Sequence, residues 1–165
     1  VMKNINFLLL ASVIGIELFI GVVVASYIFY PPNGLNGSVL LDRFESGLIM
    51  AQIFLKFAYV LIFVSIVNFL YEIFSVKNKF KILKIFISLV ILALSLLFLF
   101  YYTLPMLEFQ KQVLGTELDI AYFDSDEFKD FHYQSELLVK VLLVFQVILY
   151  FLSLKTADKA YNKES

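Results

Sequence analysis

Four long apolar runs, separated by short polar or proline-bearing breaks, organise the chain. The first covers about 5–30 and stops at Pro31-Pro32-Asn33-Gly34, where proline removes backbone donors and fixes φ. The second, about 45–74, follows a polar loop that runs through Asn36-Gly37-Ser38 to Asp42-Arg43. A basic turn with Lys77, Lys79, Lys81 and Lys84 leads to the third, about 82–104, which meets Pro105. The fourth is apolar from Phe131; Asp124-Ser125 reads as an N-cap, so the helix is predicted over 126–154, before a polar tail at 155–165. At ~1.5 Å per residue, each run is long enough to cross ~30 Å of hydrocarbon. The pattern predicts an all-α single domain over 2–165, an antiparallel four-helix transmembrane bundle.

The connection at 105–125 is long for a structureless loop. Met106-Leu107, Phe109 and Val113-Leu114 recur at helical spacing, with Gly115 placed as a C-cap. The third helix is therefore expected to continue past its proline as a short amphipathic piece at the outer interface.

Composition strengthens the membrane assignment. The chain is 61% hydrophobic with 19 Phe, and only 16% of it is charged, against about a quarter in soluble domains. The first apolar run is too long for a signal-peptide core and is read as a retained helix, with Met2 as the native start. The abundance of Phe, Ile, Lys and Asn suits an AT-rich bacterial genome, so the expected location is the bacterial inner (cytoplasmic) membrane, multi-pass.

Charge is distributed by side. Lys3, the basic turn and Lys155, Lys159 and Lys163 share one side of the bundle. The other carries Asp42, Glu45, Glu108, Glu117, Asp119, Asp124, Asp126, Glu127 and Asp130 against Arg43, Lys111 and Lys129. By the positive-inside rule both termini are cytoplasmic and the acidic loops face out. Tyr27, Tyr30, Tyr101 and Tyr102 are placed in an aromatic belt.

Ionisable residues inside a bilayer need a partner, a cavity or a snorkelling route. Glu17 and Lys56 fall ~20 Å and ~17 Å below the outer ends of their helices, a similar depth on antiparallel neighbours, and are expected to pair. Three stripes surround them. Glu17, Gly21 and Ala25 form a narrow face for close helix approach. Glu45, Gln52 and Lys56 form the second, and His132, Glu136 and Lys140 the third. If all face inward they make a polar track open to the outside, floored by Glu17, Lys56 and Lys140. The plainer alternative is that the lysines are structural partners and that His132 and Glu136 sit at the wet interface.

Other chemistry is sparse. The absence of cysteine excludes disulfides, thiolate metal sites and Cys nucleophiles. His132 and Glu136 have metal-ligand spacing, near Met50, Met106, Glu45 and Glu108, but the ligand set is mixed and there is no second His for a bis-His haem. No cofactor is expected. With no phosphate loop, nucleophile–base set or paired catalytic acids, neither an enzyme nor a nucleic-acid binder is expected.

Gly21-Val-Val-Val-Ala-Ser-Tyr-Ile-Phe-Tyr-Pro31 at the exit of the first helix, and Phe128-Lys-Asp-Phe-His132-Tyr-Gln-Ser135 at the start of the last, resemble motifs of the transmembrane protein 205-like family. The resemblance implies a four-helix membrane protein. It hints at transport, through a eukaryotic member associated with drug resistance and trafficking. It adds Ser135 to Glu45, His132 and Glu136 at the outer mouth, and has no counterpart for Glu17, Lys56 or Lys140. The leading expectation is a small-solute or ion transporter or channel component, in contact with lipid and with a homo-oligomeric or membrane-protein partner. The alternatives are an accessory or assembly subunit that docks through its acidic outer loops, and an outer-face metal- or haem-binding protein.

Overall fold

A computed structural model describes residues 2–30, 41, 43–75, 80–113 and 126–161. The loops at 31–40 and 114–125, with Gly115, Glu117, Asp119, Asp124 and Ser125, lie outside the described residues, as do Asp42, Lys77, Lys79 and Lys163.

Among the described residues every regular element is helical. Helix α1 is α-helical over Met2–Phe19 and Ala25–Phe29 and π-wound over Ile20–Val24. Helix α2 is Arg43–Phe74. Helix α3 comprises Lys81–Leu97, a π-wound Phe98–Thr103 and Leu104–Val113. Helix α4 is Asp126–Tyr161. All four contain a span long and apolar enough to cross a membrane: Met2–Phe29, Glu45–Phe74, Lys81–Gln112 and Lys129–Lys155. Each helix packs against two neighbours in the order α1–α2–α3–α4–α1. The first and last helices therefore return to the same end as the α2–α3 turn, hereafter the turn end. The opposite end, with Tyr30, Arg43 and His132, is the loop end.

Helix limits follow local chemistry. Pro105 cannot donate a backbone hydrogen bond, and its ring crowds the carbonyl of Tyr101. The chain answers by widening into a π-turn rather than stopping. Thr103 Oγ1 donates to the Phe98 carbonyl at 2.9 Å, five residues back, and the helix runs on to Val113 as the spacing predicts. The last helix is longer than the expected 126–154. Residues 155–161 contain neither Pro nor Gly and are rich in Lys and Ala, so nothing ends it there.

The π-turn in α1 has a larger consequence. The Ala25 N–H bonds to Ile20 O, five residues back. The extra residue in that turn rotates everything beyond it. Gly21 is exposed, with nothing within 4 Å of where a Cβ would sit. The stripe expected from Glu17, Gly21 and Ala25 is therefore not a close helix–helix contact.

The bundle is apolar outside as well as inside. Leu8, Phe19, Val22, Phe63, Phe86, Phe100 and Phe151 are exposed, as suits lipid. Leu10, Val13, Phe57, Leu61, Ile91, Leu142 and Leu149 fill the core. Because lipid is as apolar as leucine, helix association depends on close packing and interhelical hydrogen bonds. The core accordingly carries buried Ala58, Ser65, Ser88 and Ser95, and the Ser65 and Ser95 hydroxyls meet at 3.0 Å between α2 and α3.

Near the turn end, Lys84 Nζ contacts Glu72 Oε2 at 2.8 Å, both side chains buried. Ser153 Oγ donates to Glu72 Oε1 at 3.3 Å, so three helices share one carboxylate. Lys84 therefore belongs to the bundle interior. Removing one partner leaves the other charge buried and alone. Lys84→Met and Glu72→Leu should each lower unfolding free energy in mixed micelles by about 3 kcal/mol, and the double variant by clearly less than their sum.

Candidate functional site

The bundle interior divides at Phe98. This ring stands edge-on to Phe54 at 6.0 Å and to Phe57 at 6.4 Å between ring centroids. On the loop-end side of the cluster lies a cavity of about 540 Å3, within the size range of small-molecule sites. Its walls come from all four helices: Phe29 and Tyr30 of α1, Met50 and Phe54 of α2, Tyr102 and Met106 of α3, and Phe131 and His132 of α4. Polar groups are few. Thr103, Gln110, Lys129, His132, Ser135 and Glu136 reach it, and buried Gln110 has its Oε1 unpartnered.

Aromatic contacts set the cavity wall. Tyr102 packs on Phe131 at 5.1 Å and Tyr101 on the same ring at 6.1 Å, tying α3 to α4. His132 meets Phe29 edge-on at 6.5 Å, tying α4 to α1. Ser46 Oγ donates to the Ile28 carbonyl at 3.0 Å, closing α2 on α1. Tyr102 is thus part of a packed wall as well as of any aromatic belt.

On the turn-end side of Phe98 the interior becomes polar. Along α2 come Ser65, Asn68 and Glu72; along α3, Ser95, Ser88 and Lys84; along α4, Gln146 and Ser153; and along α1, Glu17 and Asn6. All are buried. Ser65, Asn68, Ser88 and Gln146 line a cavity of about 10 Å3, with Leu10, Val13, Val64 and Ile91 completing its wall. Gln146 lies beside the Glu17 carboxyl. Among the described residues, neither amide atom of Asn68 has a hydrogen-bond partner.

The residues singled out from spacing fare unequally. Glu17 is interior, at 5% exposure. Lys56 and Gln52 are exposed, on an outward groove with Ile16, Ile20, Ile49 and Val60. The expected Glu17–Lys56 pair is not formed, and Lys56 makes no ion pair with any described residue. The inward face of α2 is set by Ala58, Leu61, Ser65, Asn68 and Glu72. Lys56 and Gln52 lie off that phase. Lys140 does not enter the interior either: it pairs with Glu136 at 2.7 Å, one helical turn away, with side chains 65% and 52% exposed. Its long stem reaches back along its own helix more readily than across the bundle. His132, Ser135 and Glu136 do gather at one cavity wall, where Ser135 Oγ donates to the His132 carbonyl at 2.7 Å. Glu45 is exposed near the start of α2.

Among the described residues no three His, Asp or Glu side chains converge, and Glu136 is already held by Lys140.

The interior polar file escaped the reading of spacing, although its signal is present. Ser65, Asn68 and Glu72 recur at three and four residues, Lys84 and Ser88 at four, and Ser88 and Ser95 at seven. Each set is one face of a helix.

The family model described as Domain of unknown function (DUF4149) matches residues 8–113, from the first turns of α1 to the end of α3. No curated protein and no solved structure matches the chain.

Because the chain has no cysteine, single introduced thiols report access cleanly. A thiol at Met106→Cys in the large cavity should react with a water-soluble maleimide at least about tenfold faster than one at Asn68→Cys beyond the Phe98 cluster, read by mass shift in micelles.

Proposed function

The chain belongs to the DUF4149 family, and on that premise we propose that it is a membrane transporter for a small, largely apolar solute. The observation that carries this reading is the stacking of two unlike compartments inside one bundle. A cavity of about 540 Å3 lies toward the loop end of the described helices, and a buried polar file continues from it toward the Glu72–Lys84 pair. Only the Phe54–Phe57–Phe98 cluster lies between them.

The solute class follows from the walls. Phenylalanine, tyrosine and methionine side chains give apolar, adaptable contact. Gln110 and Thr103 offer a few hydrogen bonds that fix orientation. The two π-turns begin at Ile20 and Phe98, near the level of the aromatic cluster. Such turns recur at functional sites, where a helix must change its winding.

Lys3, Lys81 and Lys155 mark the turn end as cytoplasmic by the positive-inside rule. On that orientation the large cavity lies in the outer half of a bacterial inner membrane. The motifs at Gly21–Pro31 and Phe128–Ser135 support kinship with the transmembrane protein 205-like proteins, and with it a transport role.

The test is uptake of a panel of small aromatic and aliphatic solutes into liposomes containing the purified chain. Met106→Trp, which fills the cavity, should cut the flux of an accepted solute at least about tenfold, and Phe98→Ala, which opens the floor, should raise it. Flux unaltered by both substitutions ends this reading.

A further inference from the structure

Lys56 is a cation within a span, on the outer surface of the bundle, with no countercharge from the fold. With Gln52 it stands exposed in a groove of about 570 Å3 between α1 and α2. Ile16 and Ile20 form one wall, and Ile49, Ile53 and Val60 the other. Lys56 makes no ion pair with any described residue. Lys84 and Lys140, which also lie within spans, are treated differently. Lys84 is bound to Glu72 of the neighbouring helix at 2.8 Å, and exposed Lys140 has Glu136 one turn away at 2.7 Å. One turn from Lys56 stand Gln52, Ile53, Tyr59 and Val60, and none carries a charge.

Depth limits the usual escape of such a lysine. The span Glu45–Phe74 has 30 residues, which makes it ~45 Å long against ~30 Å of hydrocarbon. Centred on the bilayer, it puts the Lys56 backbone ~9 Å inside the hydrocarbon. A stem that climbs to the boundary leaves the groove, and a lipid phosphate lies beyond that boundary. An ionised group at this depth calls for a partner. The face around Lys56 has the form a helix would cover. Ile49, Gln52, Lys56, Tyr59, Phe63 and Ile66 are all exposed and alternate at three and four residues, the spacing at which a second helix packs alongside. In lipid such packing is fixed by polar contacts across the interface, because apolar area alone gives no driving force.

We propose that this groove docks a transmembrane helix of another protein, one that presents an Asp or Glu carboxylate at the depth of Lys56. The carboxylate meets the ammonium, the Gln52 amide one turn away donates to it as well, and the isoleucines receive apolar side chains on either side. A second copy of this chain does not match the charge. Among the described residues within the spans, Glu17 and Glu72 are buried, Glu136 is held by Lys140, and a two-fold contact through the groove brings Lys56 toward Lys56.

The docking site does not rest on the transport reading, because it requires association and no flux. The experiment uses the full chain, which has no cysteine, with a donor dye on Lys3→Cys, in phosphatidylcholine liposomes. Acceptor-labelled transmembrane peptides of about 24 Leu and Ala residues are added. One peptide carries Glu ~9 Å inside one end of its apolar stretch, a second carries Leu there and a third Lys. Energy transfer should show the Glu peptide binding at least about tenfold more tightly than the Leu peptide. Lys56→Leu should make the two alike, and Lys56→Glu should move the preference to the Lys peptide. The proposal is overturned if the wild type binds the Glu and Leu peptides alike, or if Lys56→Leu keeps the Glu preference. Loss of that preference when phosphatidylglycerol is added overturns it too, and assigns Lys56 to an anionic lipid. So does association of differently labelled chains without peptide that Lys56→Leu abolishes, which assigns the groove to a second copy.

Discussion

Hydrocarbon offers no hydrogen bonds, and that constraint organises this protein. A polar group inside the spans must find its partner within the bundle or line a space that supplies one. Apolar side chains are under no such pressure, since lipid receives them as readily as a core does. The result is a bundle with phenylalanine on its outer faces and serine, asparagine, glutamine, glutamate and lysine along part of its axis. The Glu72–Lys84 pair with Ser153 is the completed form of this arrangement. Glu17, Gln146 and Asn68 are buried farther along the same interior, with Gln146 beside the Glu17 carboxyl.

Helix winding adjusts the two halves to each other. Pro105 forces a π-turn in α3 where a regular helix would clash, and the turn starts at Phe98, the residue that floors the large cavity. In α1 the π-turn at Ile20–Val24 moves Gly21 to the exposed face while leaving Glu17 buried. Both irregularities lie where the aromatic compartment gives way to the polar one. A bundle of uniform helices would have carried one face, and so one character, along its whole length.

The two compartments differ in solvation. The loop-end cavity has aromatic walls and only a few polar groups. Beyond Phe98 the space narrows to about 10 Å3, and buried polar groups dominate. The Phe54–Phe57–Phe98 cluster stands between the two regions.

Much of this was legible in the chain. Run lengths against bilayer thickness determined four spanning helices, and the proline-bearing breaks and lysine turn determined where they end. The spacing of Met106, Leu107 and Phe109 determined that α3 passes Pro105. Spacing also brought His132, Ser135 and Glu136 together, because neighbours one turn apart on a single helix stay neighbours in any fold. What periodicity leaves undetermined is the rotation of each helix about its own axis. Glu17 and Lys56 share a depth, but facing depends on which residues of α1 and α2 pack, and α2 turned Asn68 and Glu72 inward in place of Gln52 and Lys56. A lysine stem can also reach along its own helix, as Lys140 does to Glu136, or across to another, as Lys84 does to Glu72. Sequence alone set the number of the helices and their capacity to span, since these follow from local backbone hydrogen bonding and hydrophobic length. Only the tertiary structure chose which polar groups meet, because that choice is made by side-chain packing between helices far apart in the chain.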